Sequence, residues 1–259
     1  MIDKDYRVNI LGCPVDNLSM QETLCVAEEM IKSRRVHQHV VINVDKLLKF
    51  RRDPLLRDII FNCDIINADG MPIIWASRIL ARPLKEKVSG IDLMETLIAL
   101  ASKKGYKVYF LGAKEKIVKK VVEIYKNRYS ELLIAGFRNG YWEQSQEQEV
   151  AENIRDSKPD ILFVAITSPQ KEIFLRKYLN IMQVPFVMGV GGSFDIVAGL
   201  TKRAPKWMQK IGLEWLYRLI QEPHRLWRRY LIGNSLFIFL VLKEIGIRLC
   251  RCLITQIKK

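Results

Sequence analysis

Short apolar runs alternate with longer segments of helical periodicity through the first 200 residues of this chain. Apolar strands separated by helices are typical of a parallel sheet that helices cover on both faces. The pattern therefore predicts an α/β fold with a mostly parallel sheet. Strands are expected at residues 8–11, 39–43, 65–67, 107–111, 132–136, 161–166 and 186–190, and the clearest helices at 20–32, 90–104, 114–128 and 147–157.

Beyond residue 200 the periodicity is helical only. An apolar residue recurs every four positions at Trp207, Ile211, Trp215 and Leu219. Pro223 is well placed to begin a further helix, since proline is favoured in a first helical turn. The sequence thus predicts an α/β domain over residues 1–200 and a helical appendage over 201–259.

Positive charge is concentrated in the appendage. The chain carries a formal net charge of +14. Residues 202–259 hold 13 Lys and Arg against three acids, which accounts for ten of those charges. Such asymmetry indicates a partner rather than a fold. The candidates are nucleic acid, an anionic membrane surface, and the phosphate groups of a ligand.

The residues that usually hold metals or disulfides show no recognisable pattern. The five cysteines form no CxxC pair, and the three histidines have neither metal nor triad spacing. This is typical of reduced thiols in a cytosolic protein. The N-terminus has no signal-peptide pattern, and no apolar run reaches the roughly 20 residues of a membrane span. The closest, residues 231–242, is broken by Asn234 and stops at Lys243 and Glu244. We therefore expect a cytoplasmic protein that lies on a membrane without crossing it.

Asp69 and Gly70 follow a predicted strand and precede a helix. In a parallel α/β sheet, ligands bind at the carboxyl ends of the strands. Asp69 is thus a candidate general base, and Gly70 gives the backbone room to turn. The alternative is that Asp69 caps the helix that follows, a common role for aspartate.

Two glycine turns follow other predicted strands. Gly112, Ala113 and Lys114 lead into a helix, whose first N–H groups could bind a phosphate, although an ordinary βα turn has the same sequence. Gly191 and Gly192 lie in a denser glycine loop. That loop resembles a phosphate cradle without the P-loop lysine, or is a tight turn without a ligand. Asp195, just beyond it, could accept a hydrogen bond from a ribose or sugar hydroxyl.

Polar residues of two further segments could reach the same cleft. Gln170 and Lys171 follow Pro169, which resembles a first helical residue capped by Ser168, so that bare capping is the alternative. In the appendage, arginines are interleaved with tryptophan and tyrosine. Arginine is suited to phosphate binding, and basic residues interleaved with aromatic ones are also suited to a lipid interface. The third alternative is a solvated basic face that binds no ligand. These arginines are Arg218, Arg225, Arg228 and Arg229.

Taken in order, these segments resemble the WecG/TagA/CpsF family, glycosyltransferase family 26, from about Val8 to Tyr230. The most specific matches lie in the appendage, at Arg203-Ala-Pro205, Gly212-Leu-Glu214-Trp215-Leu-Tyr217-Arg218 and Glu222-Pro223-His-Arg225. The others are Asn43, Asn67-Ala-Asp69-Gly70, Val88-Ser-Gly90-Ile-Asp92-Leu-Met, Leu111-Gly112-Ala113, Gly140-Tyr141, Pro169 with Glu172, and Gly189-Val-Gly191-Gly192-Ser-Phe-Asp195.

The resemblance implies a Rossmann-like fold and an inverting transfer from a UDP-sugar to a polyprenyl-diphosphate-linked saccharide, without an obligatory metal or other cofactor. The sugar in such families is often N-acetylmannosamine or its uronic acid, used in teichoic acid, enterobacterial common antigen or exopolysaccharide synthesis. It also implies an appendage that brings arginines to the nucleotide and engages the inner face of the cell membrane, with no nucleic-acid partner. A homo-oligomer stays open, because the tail could pack on its own domain, on a second copy or on lipid.

Roles can then be assigned to individual residues. Asp69 is expected to take the proton from the acceptor hydroxyl, and Asn43 to position the sugar or the acceptor. Lys171 departs from the family pattern, which often reads Lys-Gln-Glu where this chain has Gln170-Lys171-Glu172. A lysine there would suit an acidic sugar or a diphosphate. The competing functions are a nucleotide-dependent oxidoreductase, which would need a GxGxxG motif after the first strand, and a non-catalytic lipid- or nucleic-acid-binding module.

Overall fold

The computed structural model describes residues 6–257. Eight strands occur in this range, and six of them form one sheet in the order β4-β3-β8-β7-β5-β6 with every neighbouring pair parallel. The strands are β1 Arg7–Ile10, β2 Cys13–Asp16, β3 His37–Ile42, β4 Ile65–Ala68, β5 Val108–Gly112, β6 Ile134–Arg138, β7 Ile161–Ala165 and β8 Phe186–Gly189. The predicted parallel α/β architecture, Rossmann-like in form, is confirmed.

Thirteen α-helices lie within the described range. Those of the α/β part are α1 Met20–Lys32, α2 Val44–Arg52, α3 Pro54–Phe61, α4 Met71–Ile79, α5 Gly90–Lys104, α6 Glu115–Arg128, α7 Glu147–Asp156, α8 Gln170–Met182 and α9 Ser193–Val197. Those that follow are α10 Lys206–Lys210, α11 Glu214–Gln221, α12 Pro223–Trp227 and α13 Gly233–Ile257. A π-helical turn, Arg228–Ile232, joins α12 to α13.

Buried side chains alternate between the two faces of the sheet. Phe110 packs with α5 and α6 on one face, whereas its neighbours Tyr109 and Leu111 pack with α7 and α8 on the other. Successive residues of a strand point to opposite faces, so strands that are apolar throughout need helices on both sides. The core is therefore double-sided, and the loops at the carboxyl edge are left free to build a site.

The first strand departs from the prediction. A strand forms near residues 8–11, but it pairs antiparallel with β2 in a hairpin outside the main sheet. Leu11 and Gly12 make the two-residue turn with φ of 53° and 92°, as a primed hairpin turn requires. Leucine is unusual there, and Pro14 interrupts the strand pattern that follows. These two residues explain why sequence reasoning missed β2.

The segment beyond residue 200 is helical, as predicted, and it packs on the α/β part. Phe237 and Val241 of α13 are buried in one core cluster with Leu47 and Leu48 of α2. Arg203 forms a two-bond ion pair with Asp92 of α5, with N–O distances of 2.5 and 2.7 Å. The division of the chain at residue 200 stays a prediction.

One helix of the described residues, the run Pro223–Arg248, is long and apolar enough to cross a membrane by length and composition alone, and 11% of its most apolar window is buried. The expectation that no segment meets this criterion is wrong. The sequence count stopped at Lys243 and Glu244, whereas the helix continues to Arg248 with apolar residues between the charges.

Gly112 is required by packing. Its φ is +125°, and a Cβ there would lie 2.5 Å from the backbone of Ala165 on β7. Gly112→Ala is expected to lower the free energy of unfolding by about 2–5 kcal/mol, from backbone strain and from the clash. Urea unfolding measures this. Gly105→Ala is the control, because Gly105 also has positive φ but no atom within 4 Å of a Cβ; equal losses in the two variants would show that the clash is relieved.

Candidate active site

A cleft of about 620 Å³ lies at the carboxyl edge of the sheet. The loops after β3, β4, β5, β7 and β8 line it on one side, and α11 to α13 cover it on the other. It brings together most of the predicted site residues: Asn43, Asp69, Gly70, Ala113, Lys114, Lys171, Gly191, Gly192, Asp195, Arg218 and Arg225. Polar groups separated by up to 182 positions in the sequence thus share one cavity.

Asp69 lies half-buried in the wall of this cleft, one residue after β4. Its backbone N–H donates to the carbonyl of Ile42 at 2.8 Å, which extends the parallel pairing of β3 and β4 by one residue. The helix that follows, α4, takes Gly70 as its N-cap and has no side-chain capping bond. Asp69 is therefore not a capping residue, and its carboxylate is free to face a ligand.

The carboxyl of Asp69 is set for proton transfer by its surroundings. Burial raises the pKa of Asp69 above its ordinary value, and the negative charge of Glu214 raises it further. Arg218 and Lys87 act against this by lowering the pKa. The net direction is upward, toward the range in which a carboxylate is an effective general base.

Glu214 links the appendage to this carboxylate. It is the first residue of α11, and it lies 3.5 Å from Lys87 Nζ and 3.3 Å from an Arg218 guanidinium nitrogen. These two cations are therefore shared between Glu214 and the cleft. Because Arg218 is one turn along α11 from Glu214, the pair also orients the guanidinium toward the cavity.

A buried ionic cluster lies beneath the opposite wall. Glu172 accepts a hydrogen bond from Lys46 Nζ at 2.7 Å and lies 3.5 Å from Lys171 Nζ. All three side chains are at least 90% buried. Burial lowers the pKa of Lys171 to about 8, and the nearby charge of Lys46 adds to this. The pKa of Glu172 is lowered to about 2, because the two ammonium groups outweigh the cost of burying a carboxylate.

A third group of charges surrounds Asp195 in α9. Burial raises the pKa of this carboxyl, whereas Arg225 and Lys114 lower it. Arg225 also forms an ion pair with Glu222. Since Arg225 and Lys114 come from opposite sides of the cleft, they make a cationic region across which a phosphate group could be held.

The sequence as a whole matches one family. Residues 8–249 match the family described as Glycosyl transferase WecG/TagA/CpsF. The chain belongs to this glycosyltransferase family. It is 35% identical over 180 residues to an N-acetylglucosaminyldiphosphoundecaprenol N-acetyl-beta-D-mannosaminyltransferase of Bacillus spizizenii, covering 70% of this chain and 69% of the relative. A protein of the same name from Bacillus subtilis is 35% identical over 187 residues, 72% of each chain.

Several predicted site residues of this glycosyltransferase lie elsewhere or are already engaged. Gln170 is exposed outside the cleft lining and accepts from the Thr167 hydroxyl at 2.6 Å. Arg228 stacks on the ring of Trp227, and Arg229 lines the cleft instead. A one-residue shift turns a helical side chain by about 100°, so adjacent arginines of one helical segment face different directions.

The glycine turns also differ from the prediction in part. Gly112 does not line the cleft, and the Ala113 N–H donates to the carbonyl of Ala165 at 3.0 Å. That N–H is therefore not available to a phosphate. Ser168 does not cap α8, which begins at Gln170 with Pro169 before it. Asn43 both lines the cleft and caps α2, since its side-chain oxygen accepts from the Lys46 N–H at 3.0 Å.

Sequence reasoning missed Lys87, Glu214 and the Lys46–Glu172 pair as site components, and it named Arg229 only as one of the basic residues of the appendage. Glu214 belongs to one of the most specific motifs, but its partner Lys87 is 127 residues away in the sequence, so the contact could not be predicted from local sequence. The described residues contain no group of three or more His, Cys, Asp or Glu side chains arranged to hold a metal ion. The four cysteines whose side chains are described are free.

Proposed function

We propose that this glycosyltransferase moves an N-acetylmannosamine-type sugar from a UDP-sugar to an N-acetylglucosamine linked to polyprenyl diphosphate. The proposed reaction inverts the anomeric centre and needs no metal. The observation that carries the proposal is the half-buried Asp69, with its raised pKa, in a cleft that Lys114, Arg218 and Arg225 also line. The names of the two Bacillus relatives supply the acceptor and the sugar class.

The proposed mechanism is a single displacement. Asp69 takes the proton of the acceptor hydroxyl while that oxygen attacks the anomeric carbon, and the bond to UDP breaks on the opposite side. A β-linked product, as in the relatives' names, from an α-linked nucleotide sugar requires such inversion. Arg218 and Arg225 would stabilise the diphosphate charge as it develops, and Asp195 would bind a ribose or sugar hydroxyl.

We place the reaction at the inner face of the cell membrane. The exposed side of α13 carries the large apolar residues Ile238, Phe239 and Leu242, each about 60% exposed. Basic residues of the π-helical turn, Arg228 and Arg229, lie at its start. Apolar and basic residues together favour an anionic lipid surface, where a polyprenyl-linked acceptor resides.

A UDP-release assay tests the proposed function. Purified protein would be mixed with polyprenyl-diphosphate-GlcNAc and, in turn, UDP-ManNAc, UDP-ManNAcA, UDP-Glc or UDP-Gal, with and without EDTA. We expect acceptor-dependent release with a mannosamine-type donor that EDTA does not reduce. Release that is abolished by EDTA and restored by a divalent cation would refute metal independence, and silence with every donor would refute the donor assignment.

Lys171 is expected to select for an acidic donor. Lys171 is one of the residues that line the cleft, and the Lys171→Gln variant should lose any preference for UDP-ManNAcA over UDP-ManNAc. Because the pKa of Lys171 is lowered to about 8, the preference of the wild type should also weaken as the pH rises through 8. The measurement is kcat/KM for both donors from pH 6.5 to 9. An equal donor preference in wild type and Lys171→Gln at all pH values would contradict the hypothesis.

A further inference from the structure

An apolar groove of about 410 Å³ lies beside the catalytic cleft, between α4 and α13. One face of α4 forms one wall, through Pro72, Trp75, Ala76 and Ile79. One face of α13 forms the other, through Asn234, Ser235, Phe237, Ile238, Val241, Leu242 and Ile245. Both sets recur at helical spacing, so each is a continuous stripe.

The groove adjoins the cleft. Pro72, Trp215, Tyr230 and Asn234 line both cavities. Helix α4 begins two residues after Asp69, so its first turn lies at the cleft, and the groove follows α4 away from it as far as Ile79. Seven residues of helix correspond to about 10 Å. The two cavities therefore share part of their walls, and the groove leads away from the end of the cleft that Asp69 lines.

The chemistry of the walls changes at this junction. The cleft is lined by charged groups such as Lys87 and Arg218, whereas beyond Asn234 and Ser235 the groove is lined by apolar side chains. Several of these remain open to solvent, with Trp75 41% and Ile79 59% exposed. A charged cavity next to an apolar one matches a ligand with a phosphorylated sugar head and a hydrocarbon tail.

We propose that the groove binds the first isoprene units of the acceptor's polyprenyl chain while the diphosphate and sugar lie in the cleft. The inference rests on the proposed function, since it takes the acceptor to be lipid-linked. It assigns a specificity role to Trp75, Ile79, Ile238 and Leu242, which lie away from the reacting atoms. The chain would leave past Ile79 and Leu242 toward the bilayer.

Acceptor chain length provides the first test. GlcNAc diphosphates carrying either a polyprenyl chain or a single isoprene unit would be compared in the same detergent micelles. Ile238→Glu places a charge on the groove wall at a side chain that is 58% exposed, so the fold should survive. We expect the KM for the long-chain acceptor to rise about tenfold or more. The KM for the donor and for the one-isoprene acceptor should not change.

Phe239→Glu is the matched control. Phe239 is the next residue of the same helix and is 60% exposed, but it does not line the groove. Both substitutions remove an apolar side chain and add one negative charge, so both should weaken micelle or liposome binding equally. Only Ile238→Glu should erase the preference for the long chain. Equal effects of the two variants would overturn the proposal and assign the apolar surface to general membrane contact.

A photo-crosslinking experiment gives a readout that does not need turnover. A polyprenyl diphosphate with a benzophenone on its second isoprene unit would be irradiated with the full-length protein, and the adducts mapped by mass spectrometry. Adducts on Trp75, Ile79, Ile238 or Leu242 support the groove, whereas adducts confined to Ile232 and Phe239, which do not line it, overturn it. If wild type transfers no sugar yet the adducts lie in the groove, the proposed function fails and the isoprenoid site stands.

Discussion

Asp69→Asn is expected to lower kcat by about 10²–10⁴-fold, the usual contribution of a general base. Asparagine has the same shape but cannot take the acceptor proton. Because Asp69 makes no capping bond and its backbone N–H bond to Ile42 does not involve the side chain, the fold should not change. Turnover is measured by UDP release, and UDP affinity, which depends on the cationic side of the cleft, is measured by calorimetry and should be preserved.

The pH profile identifies the role more sharply than the loss of rate. A general base must be deprotonated, so wild-type kcat/KM should fall as the pH drops through the pKa of Asp69. Burial raises that pKa above the ordinary aspartate value, so the acid limb should lie at a higher pH than for an exposed aspartate. The limb should disappear in Asp69→Asn. Near-normal turnover in that variant, or an unchanged acid limb, would remove Asp69 from the role.

Glu214 provides an independent check on the same carboxylate. Its negative charge raises the pKa of Asp69, and it also occupies Lys87 and Arg218, which lower that pKa. Glu214→Gln should therefore move the acid limb to lower pH, with a smaller loss of kcat than Asp69→Asn. Asp156→Asn is the control, because Asp156 is exposed and does not line the cleft. This variant should leave the pH profile of kcat/KM unchanged.

Local sequence patterns predicted the strands, the helices and the residues at the strand ends. Apolar strands such as 161–166 and the helical appendage were predicted, and so were the strand-end residues Asp69 and Gly191, because strand ends of a parallel sheet meet at one edge. The hairpin was missed because its turn uses Leu11. The charge network was missed because its partners are distant: Lys46 and Glu172 are separated by 126 positions, and Asp92 and Arg203 by 111.

The site errors have the same origin. Arg228 and Arg229 are adjacent in sequence and both lie in the π-helical turn, but only Arg229 lines the cleft. Gly112 lies in a turn whose sequence resembles a phosphate-binding turn. Its positive φ and missing Cβ instead allow its backbone to pack closely against the backbone of Ala165. Side-chain direction and backbone packing are three-dimensional properties, and periodicity alone does not fix them.

The largest effect on stability is expected from Glu172→Gln. Glutamine keeps the size of the side chain but removes the negative charge that Lys46 and Lys171 share. Two ammonium groups would then lie buried without a counter-ion. Removing one partner of a buried ion pair costs about 3–5 kcal/mol, and we expect the free energy of unfolding at pH 7 to fall by that amount. Urea unfolding measures it, with Glu123→Gln on the exposed face of α6 as control.

The pH dependence of that loss separates charge from packing. The pKa of Glu172 is lowered to about 2, so its stabilising contribution is present above the ordinary glutamate pKa and is lost as the pH falls toward 2. The pKa of Lys171 is lowered to about 8, so the unfolded chain binds more protons between pH 8 and its ordinary value, and stability should rise with pH in that window. In Glu172→Gln the pKa of Lys171 should fall further, because its counter-ion is gone. The rise of stability with pH should therefore begin at a lower pH than in wild type. The loss of unfolding free energy relative to wild type should then shrink as Lys171 loses its proton. A deficit that is constant from pH 6 to 10 would assign the cost to packing and not to the uncompensated charge.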